Sequence, residues 1–538
     1  MKKHFSVIAY NSHNLMKQLL SKTLAPKELI VSKNHFHYFR EYFNYLITKT
    51  IVVENNYVDR DYLEDYSAYY VRCFTPYEKT CTRLHFFTKP FSRTVFQNIL
   101  RNNISKTKIK EITESYLGFV VIKPLPMTII GRTCLKTYPN EKKRNYPIIR
   151  DYKTNLFGIK LTVDSLAFQE QDSVVAACAT SALWSTFHGT GILFHHSIPS
   201  PVIITEKASK KFPSLTRTLP SNGLLIEQMV QAIRNVGLEP YSKSAADYFL
   251  LKSTIYAYIK AKIPIVLLIN LANKVSSSYK LNKDTPLYID MGKHAVAVTG
   301  YSIKRSTKIN FEQYGFRCVT SNIDKIYVHD DHVGPFSRMI FDDIKISVYS
   351  KEKDKNEEFM SLGTSWRDKN EKYGNIRAIP DIMLIPLYHK IRIPFSIIQD
   401  ATINFNAILN SFILEGFMPF KEYLIWDMYL ITVSDLKNEI LRSVEIKSET
   451  KLKLLTFPMP KYIWRSTGLN GKNKIIDLLF DATDIEQGPL FIFAIEYEVN
   501  FSIVLHEICK SDNIKKHNGN GPEQKIIQWF RNKENDPH

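Results

Sequence analysis

The sequence predicts an α+β fold, and a helical stripe followed by three short apolar runs predicts it. Ile226, Met229, Val230 and Ile233 recur three and four apart, after a capping Ser221 or Asn222 and before Gly237 as a stop. Runs of strand length follow: Ile263 to Ile269 with Pro264 near its start, His294 to Val298 opening after Lys293 and stopping at Gly300, and Ile326 to Val328 ending on acidic residues. A helix followed by strands that can pair is the α+β pattern.

The chain of 538 residues exceeds the ~250 to 300 at which single cores stop growing, so two or three domains are expected. Its 32 Phe and 30 Tyr supply enough apolar surface for large cores and argue against bulk disorder. The expected divisions are an N-terminal domain over 1–150, a central domain over 151–350, a C-terminal domain over 360–510 and a polar tail over 511–538. Within the first, a helix is expected around His35 to Thr48 and a strand at Leu117 to Ile122, closed by Pro124 and Pro126. Lys351 to Glu358, in which only Asn356 is uncharged, reads as a linker, because such a run has no face to bury. The C-terminal region holds apolar segments at Ile382 to Leu387, Tyr423 to Val433 and Leu490 to Ile495.

Lys and Arg total 72 against 53 Asp and Glu, a formal net charge of +19 that attracts acidic partners. The longest basic run is only Lys142-Lys143-Arg144, and no zinc finger, basic zipper or Arg-Gly repeat makes nucleic acid specific. A solvated basic surface is the plainer reading. Six cysteines without regular spacing suggest reduced thiols and a cytoplasmic protein, and no signal peptide or membrane span is legible. Cys73, Cys81 and His85 lack the paired knuckle of a zinc site. Gly468 to Lys472 misses a phosphate loop, since Ser466 stands where its first glycine belongs and Asn473 where Ser or Thr should follow.

The chemistry is concentrated in the middle. A thiol attacks carbonyls as the thiolate, so a catalytic cysteine wants a helix N-terminus and a nearby imidazole. Cys178 begins a run, Ala179 to Phe187, that can be helical until Gly189 and Gly191 break it, with Leu183 and Phe187 burying one face. His294, on a distant strand, is the expected base, and Asp330, at the end of the next legible strand, the group that fixes its tautomer. His329-Asp330-Asp331-His332 also looks like a metal cluster, but strand alternation should turn His329 and Asp331 away from Asp330 and His332, so no metal is expected. His195 and His196 fall in a loop after Gly191 with no role assigned.

From about Gln169 to Gly334 the chain resembles papain-like cysteine peptidases of the bacteriocin-processing, double-glycine-leader type. The resemblance is carried by Gln169-Glu170-Gln171, by Cys178 opening an alanine-containing helix and by Gly223 before the amphipathic helix. Ile263-Pro264-Ile265-Val266, the His294 strand with Gly300-Tyr301, and Asp330 shortly before Gly334 complete it. It implies a papain-like core, in which a helix bearing the cysteine packs on an antiparallel sheet, and a Cys178-His294-Asp330 triad without a cofactor. It also implies a glutamine that completes an oxyanion hole with the backbone N–H of the nucleophile. The family places this glutamine six residues ahead of the cysteine, where Asp172 stands, so Gln171 takes the role with Gln169 in reserve. Asp330-Asp331 stands where Asp-Pro is usual. No transporter segment accompanies the resemblance, so bacteriocin export is not implied.

The expected activity is hydrolysis of a peptide or isopeptide bond in a protein or peptide substrate, through an acyl-thioester on Cys178. Deamidation and transglutamination would use the same residues. A different class is a non-catalytic papain-like scaffold that binds an acidic partner, protein or nucleic acid.

Overall fold

The computed structural model describes residues 4–139, 143–172, 174–211, 218–274, 287–304, 315–350, 355–366, 375–419, 422–486, 488, 490–510 and 522–532. The chain mixes α and β structure with predominantly antiparallel sheets, and divides into two compact units. The first holds 1–246, 262–302 and 324–386; the second holds 247–261, 303–323 and 387–538.

In the first unit, five strands follow one another as an antiparallel meander: Phe5–Ala9, Thr50–Tyr57, Cys81–Phe87, Tyr116–Ile122 and Ile130–Leu135. The helix Asn34–Tyr45 lays Phe39, Tyr42 and Phe43 on this sheet, where they bury with Val53, Leu84 and Phe86. These aromatics lie three and four apart, so one helix stripe meets one sheet face.

The second sheet of this unit closes on itself. Ile265–Lys274, Leu287–Ile303, Ile323–Asp330, Gly334–Ser350, Lys355–Gly363 and Ile376–Leu387 are neighbours in that order, and the last pairs back with the first. Closure leaves no central edge and gathers the ends of several strands.

Several expectations are corrected here. The helix that begins at Cys178, Cys178–Phe194, runs through both glycines. Gly189 and Gly191 serve close packing, since a Cβ would come within 2.9 Å of Ile148 and of Ile198 respectively. His195 is the helix cap, in left-handed conformation at φ 57°. The strand bearing His294 neither opens at that residue nor stops at Gly300. It continues because Tyr301 and Ser302 pair with Asn145 and Arg144, and a Cβ on Gly300 would collide with the Asn145 carbonyl. The amphipathic helix, Ile226–Asn235, starts after Leu225 and not after Ser221 or Asn222, because Gln228 turns its Oε1 back to the Leu225 N–H at 2.9 Å. Of the supposed linker, Lys351 to Asp354 lie outside the described residues, and from Lys355 the chain is strand, paired with 340–350. Its charged side chains fit a solvated arm of antiparallel sheet, which needs no second buried face.

The second unit is built on a five-stranded sheet ordered Arg317–Cys318, Ile425–Thr432, Tyr462–Asn470, Asn473–Asp481 and Phe491–Glu496, with Trp426 and Trp464 fully buried. Gly471, at φ 61°, turns the hairpin between the third and fourth of these strands, a local need that accounts for the glycine where a phosphate loop was considered. The polar tail, outside the described residues over 511–521, contains a helix, Pro522–Asn532, that buries Ile526, Ile527 and Phe530. No helix among the described residues is long and apolar enough to cross a membrane.

Candidate active site

Cys178 is the first residue of its helix, preceded by Ala177 in extended conformation without a side-chain cap. The first-turn N–H groups and the positive end of the helix dipole therefore face the half-buried thiol unmasked. His294 comes from the middle of a strand, opposite Ile269. Two residues earlier, Gly292 at φ 98° lies beside a register shift opposite Leu271 and Ala272, an irregularity of the kind that re-aims the residues around it. Asp330 is the last residue of Ile323–Asp330.

The three meet. His294 Nε2 lies 3.2 Å from Asp330 Oδ1, and the Cys178 thiol is close enough to the imidazole to favour its charged form. With Nε2 directed at the carboxylate, Nδ1 is the nitrogen left for sulfur. Asp330 is held by three donors: His294, the His332 backbone N–H at 3.1 Å on Oδ1, and the Trp366 indole N–H at 2.7 Å on Oδ2. Burial works against its charge, yet the His294 hydrogen bond and the neighbouring imidazoles and indole keep Asp330 below the usual carboxylate range. Trp366 also stands edge-on to His294, 5.4 Å between ring centroids, and His332 tilts against Trp366 at 4.7 Å. Those two rings screen the imidazole and carboxylate from water.

Alternation holds for His329, which packs between Phe168 and Phe336, but it fails for Asp331. The strand ends at Asp330, and a turn closed by the Val333 N–H on the Asp330 carbonyl (2.9 Å) swings Asp331 back, so that its Oδ1 lies 3.4 Å from His294 Nε2. The expected divergence of the two aspartates is thus corrected: both face one imidazole. Burial pushes Asp331 up to about 7, helped by the charge of Asp330 and opposed by that of His294. Burial alone would lower His294, but the charge of Asp331, the hydrogen bond to Asp330 and the neighbouring Cys178 thiol raise it well above its ordinary value. His294, Asp330 and Asp331 bring donor atoms within 4.8 Å of one another, a set that suits a borderline divalent cation, and it is the one such cluster among the described residues.

Asp172, at the place where a family glutamine would stand, is committed elsewhere. It accepts from the Tyr70 hydroxyl at 2.7 Å, from the Val174 N–H at 3.0 Å and from Lys123 at 3.3 Å, which shapes the turn ahead of Cys178. Ser173 lies outside the described residues. Gln171 is half-buried; Gln169 is buried with its amide nitrogen unpaired, a donor in need of an acceptor. Of the other candidates, His85 is engaged by Tyr116 and Glu54 (2.9 and 3.2 Å), so it is no ligand in common with Cys73 and Cys81. His196 bonds Thr190 and the Ser197 carbonyl.

Trp366 carries no signal in the sequence that marks it for this place, and Asp331 and His332 are legible only as members of the His329-Asp330-Asp331-His332 run. Trp366 reaches Asp330 only because the Lys355–Gly363 strand returns beside the Gly334–Ser350 strand. In comparisons with known proteins, no protein-family model and no curated protein matches the chain.

Proposed function

We propose that the chain is a cysteine peptidase with a papain-like core in residues 151–350, cleaving a peptide or isopeptide bond through a Cys178-His294-Asp330 triad. The observation that carries this is one imidazole placed between a thiol at a helix N-terminus and a carboxylate held ionised by three donors.

The chemistry follows from the atoms. Nδ1 of His294 takes the thiol proton, and the sulfur attacks the carbonyl carbon. The oxyanion is met by the Cys178 backbone N–H and by a glutamine amide, Gln171 or the unpaired Gln169. The tetrahedral species collapses as His294 returns its proton to the departing amine, leaving a thioester on Cys178. Water gives a proton to His294 and attacks the thioester carbon, and the second collapse releases the carboxylate and restores the thiol. Asp330 keeps the imidazolium oriented throughout. An amine acceptor in place of water gives transamidation, and a side-chain amide in place of the peptide bond gives deamidation.

The testing experiment is labelling of Cys178 with iodoacetamide across pH in wild type, Cys178→Ala and His294→Ala. Rapid labelling of Cys178 well below the ~8.5 of a free thiol, abolished by His294→Ala, supports the pair; labelling no faster than an ordinary thiol sinks it. The six cysteines are all free, which fits work in a reducing compartment such as the cytoplasm. The net charge of +19 favours a second reading, a papain-like scaffold for an acidic protein or nucleic acid. Salt-sensitive binding that survives Cys178→Ala, with no Cys178 reactivity, would decide for it.

A further inference from the structure

We propose that His35 is a positioning residue for the triad: its Nε2–H, donated to the Asp331 backbone carbonyl, holds the turn that carries Asp330 against His294. The proposal deepens the peptidase reading and rests on it. His35 lies in the helix Asn34–Tyr45, far from Cys178 in sequence, and is 3% exposed. Its Nε2 stands 2.9 Å from the Asp331 oxygen, and since a carbonyl only accepts, the proton is on Nε2. Its Nδ1 faces Glu170 Oε1 at 4.0 Å, but Glu170 is already paired with Lys33 and with the Ile130 N–H at 2.9 Å. Burial keeps the His35 ring below the usual imidazole range despite Glu170, so it stays neutral with that one donor.

One helix end therefore grips both sides of the site. Lys33 and His35 meet Glu170, in the approach to Cys178, and His35 meets Asp331, next to Asp330. One turn further on, Tyr38 donates to the Pro335 carbonyl and lies against Gly334, where a Cβ would come within 2.7 Å of its ring. Asp330 itself takes its position from this turn, through the His332 N–H at 3.1 Å and the Val333 N–H at 2.9 Å. A displaced turn moves the carboxylate off an imidazole contact that is already 3.2 Å long, and a misplacement of ~1 Å can slow catalysis about 10²-fold.

The test uses the full chain and reads iodoacetamide labelling of Cys178 from pH 5 to 9, with the thermal midpoint as control. His35→Leu fills the site without a donor; His35→Gln carries an amide that can reach the same carbonyl. The leucine variant is expected to label at least about tenfold more slowly at pH 6, with its profile moved toward that of a free thiol, and the glutamine variant to recover to within about threefold of wild type. If the leucine variant does not fold, His35→Asn, whose amide stops short of the carbonyl, takes its place with the same expectation. A wild-type profile in the donor-less variant, whatever its thermal midpoint, overturns the proposal and leaves the peptidase reading standing. A wild type whose Cys178 lacks reactivity below the free-thiol range overturns both.

Discussion

Asp330 and Asp331 share one imidazole, yet their surroundings shift them in opposite directions, Asp330 below and Asp331 above the usual carboxylate range. Three donors keep Asp330 ionised; both Asp331 side-chain oxygens are buried without a hydrogen bond. Asp330→Asn is therefore expected to reduce labelling of Cys178 at pH 6 and any turnover by at least ~10²-fold, since an amide there neither orients nor stabilises the imidazolium. Asp331→Asn should act mainly on stability. Its carboxyl is raised to about 7 in the fold against ~3.9 unfolded, so between those values the native state binds more protons and stability falls as pH rises. The asparagine variant should gain on wild type across that window, by up to about 4 kcal/mol at pH 8 and by little at pH 4. Denaturant titrations at the two pH values check this, and an equal gain at both would refute it. His294 bears in the same direction, because its raised value gives stability that is full below ~6.5 and lost as pH climbs through the folded value. Trp366→Phe removes the indole donor from Asp330 Oδ2 and should cost roughly 1.5 to 3 kcal/mol, the range for a hydrogen bond to a charged group. It should also move the acid limb of the labelling profile upward, which a purely packing role would not do.

At the scale of elements, glycines that looked like breakers turned out to be points of close approach. A helix stop and a packing glycine are the same letter; only the neighbour distinguishes them. Gly189→Ala raises helix propensity by up to ~1 kcal/mol but forces a Cβ to 2.9 Å from Ile148, so a net loss of about 1 kcal/mol is expected in chemical denaturation. Gly292→Ala, at φ 98°, should cost about 1 kcal/mol or more and disturb the register two residues from His294, so slower Cys178 labelling at unchanged Asp330 is the expected signature. The apolar stripes were legible because periodicity is a local property: Ile226–Asn235, Tyr116–Ile122 and Ile265–Lys274 all lie where the pattern puts them. Their ends were less so. Strand 287–303 extends beyond its apolar run because its pairing with the Arg144–Asn145 segment is a tertiary fact.

For the whole molecule, the charge of +19 predicts an affinity for acidic macromolecules that falls as salt rises. Anisotropy of a labelled acidic peptide at low and at ~0.3 M salt checks it, and salt-independent binding would speak against an electrostatic partner surface. By itself the sequence determined the α+β character, the helix at Cys178 and the strands bearing His294 and Asp330, because each rests on local patterning of apolar residues. The tertiary structure alone decided which acids reach the imidazole, that Trp366 and His332 cover it, and that His35 and Tyr38 hold its turn. Those contacts join segments from 36 to 297 residues apart, and a hydrogen bond between such segments leaves no periodic trace in either one.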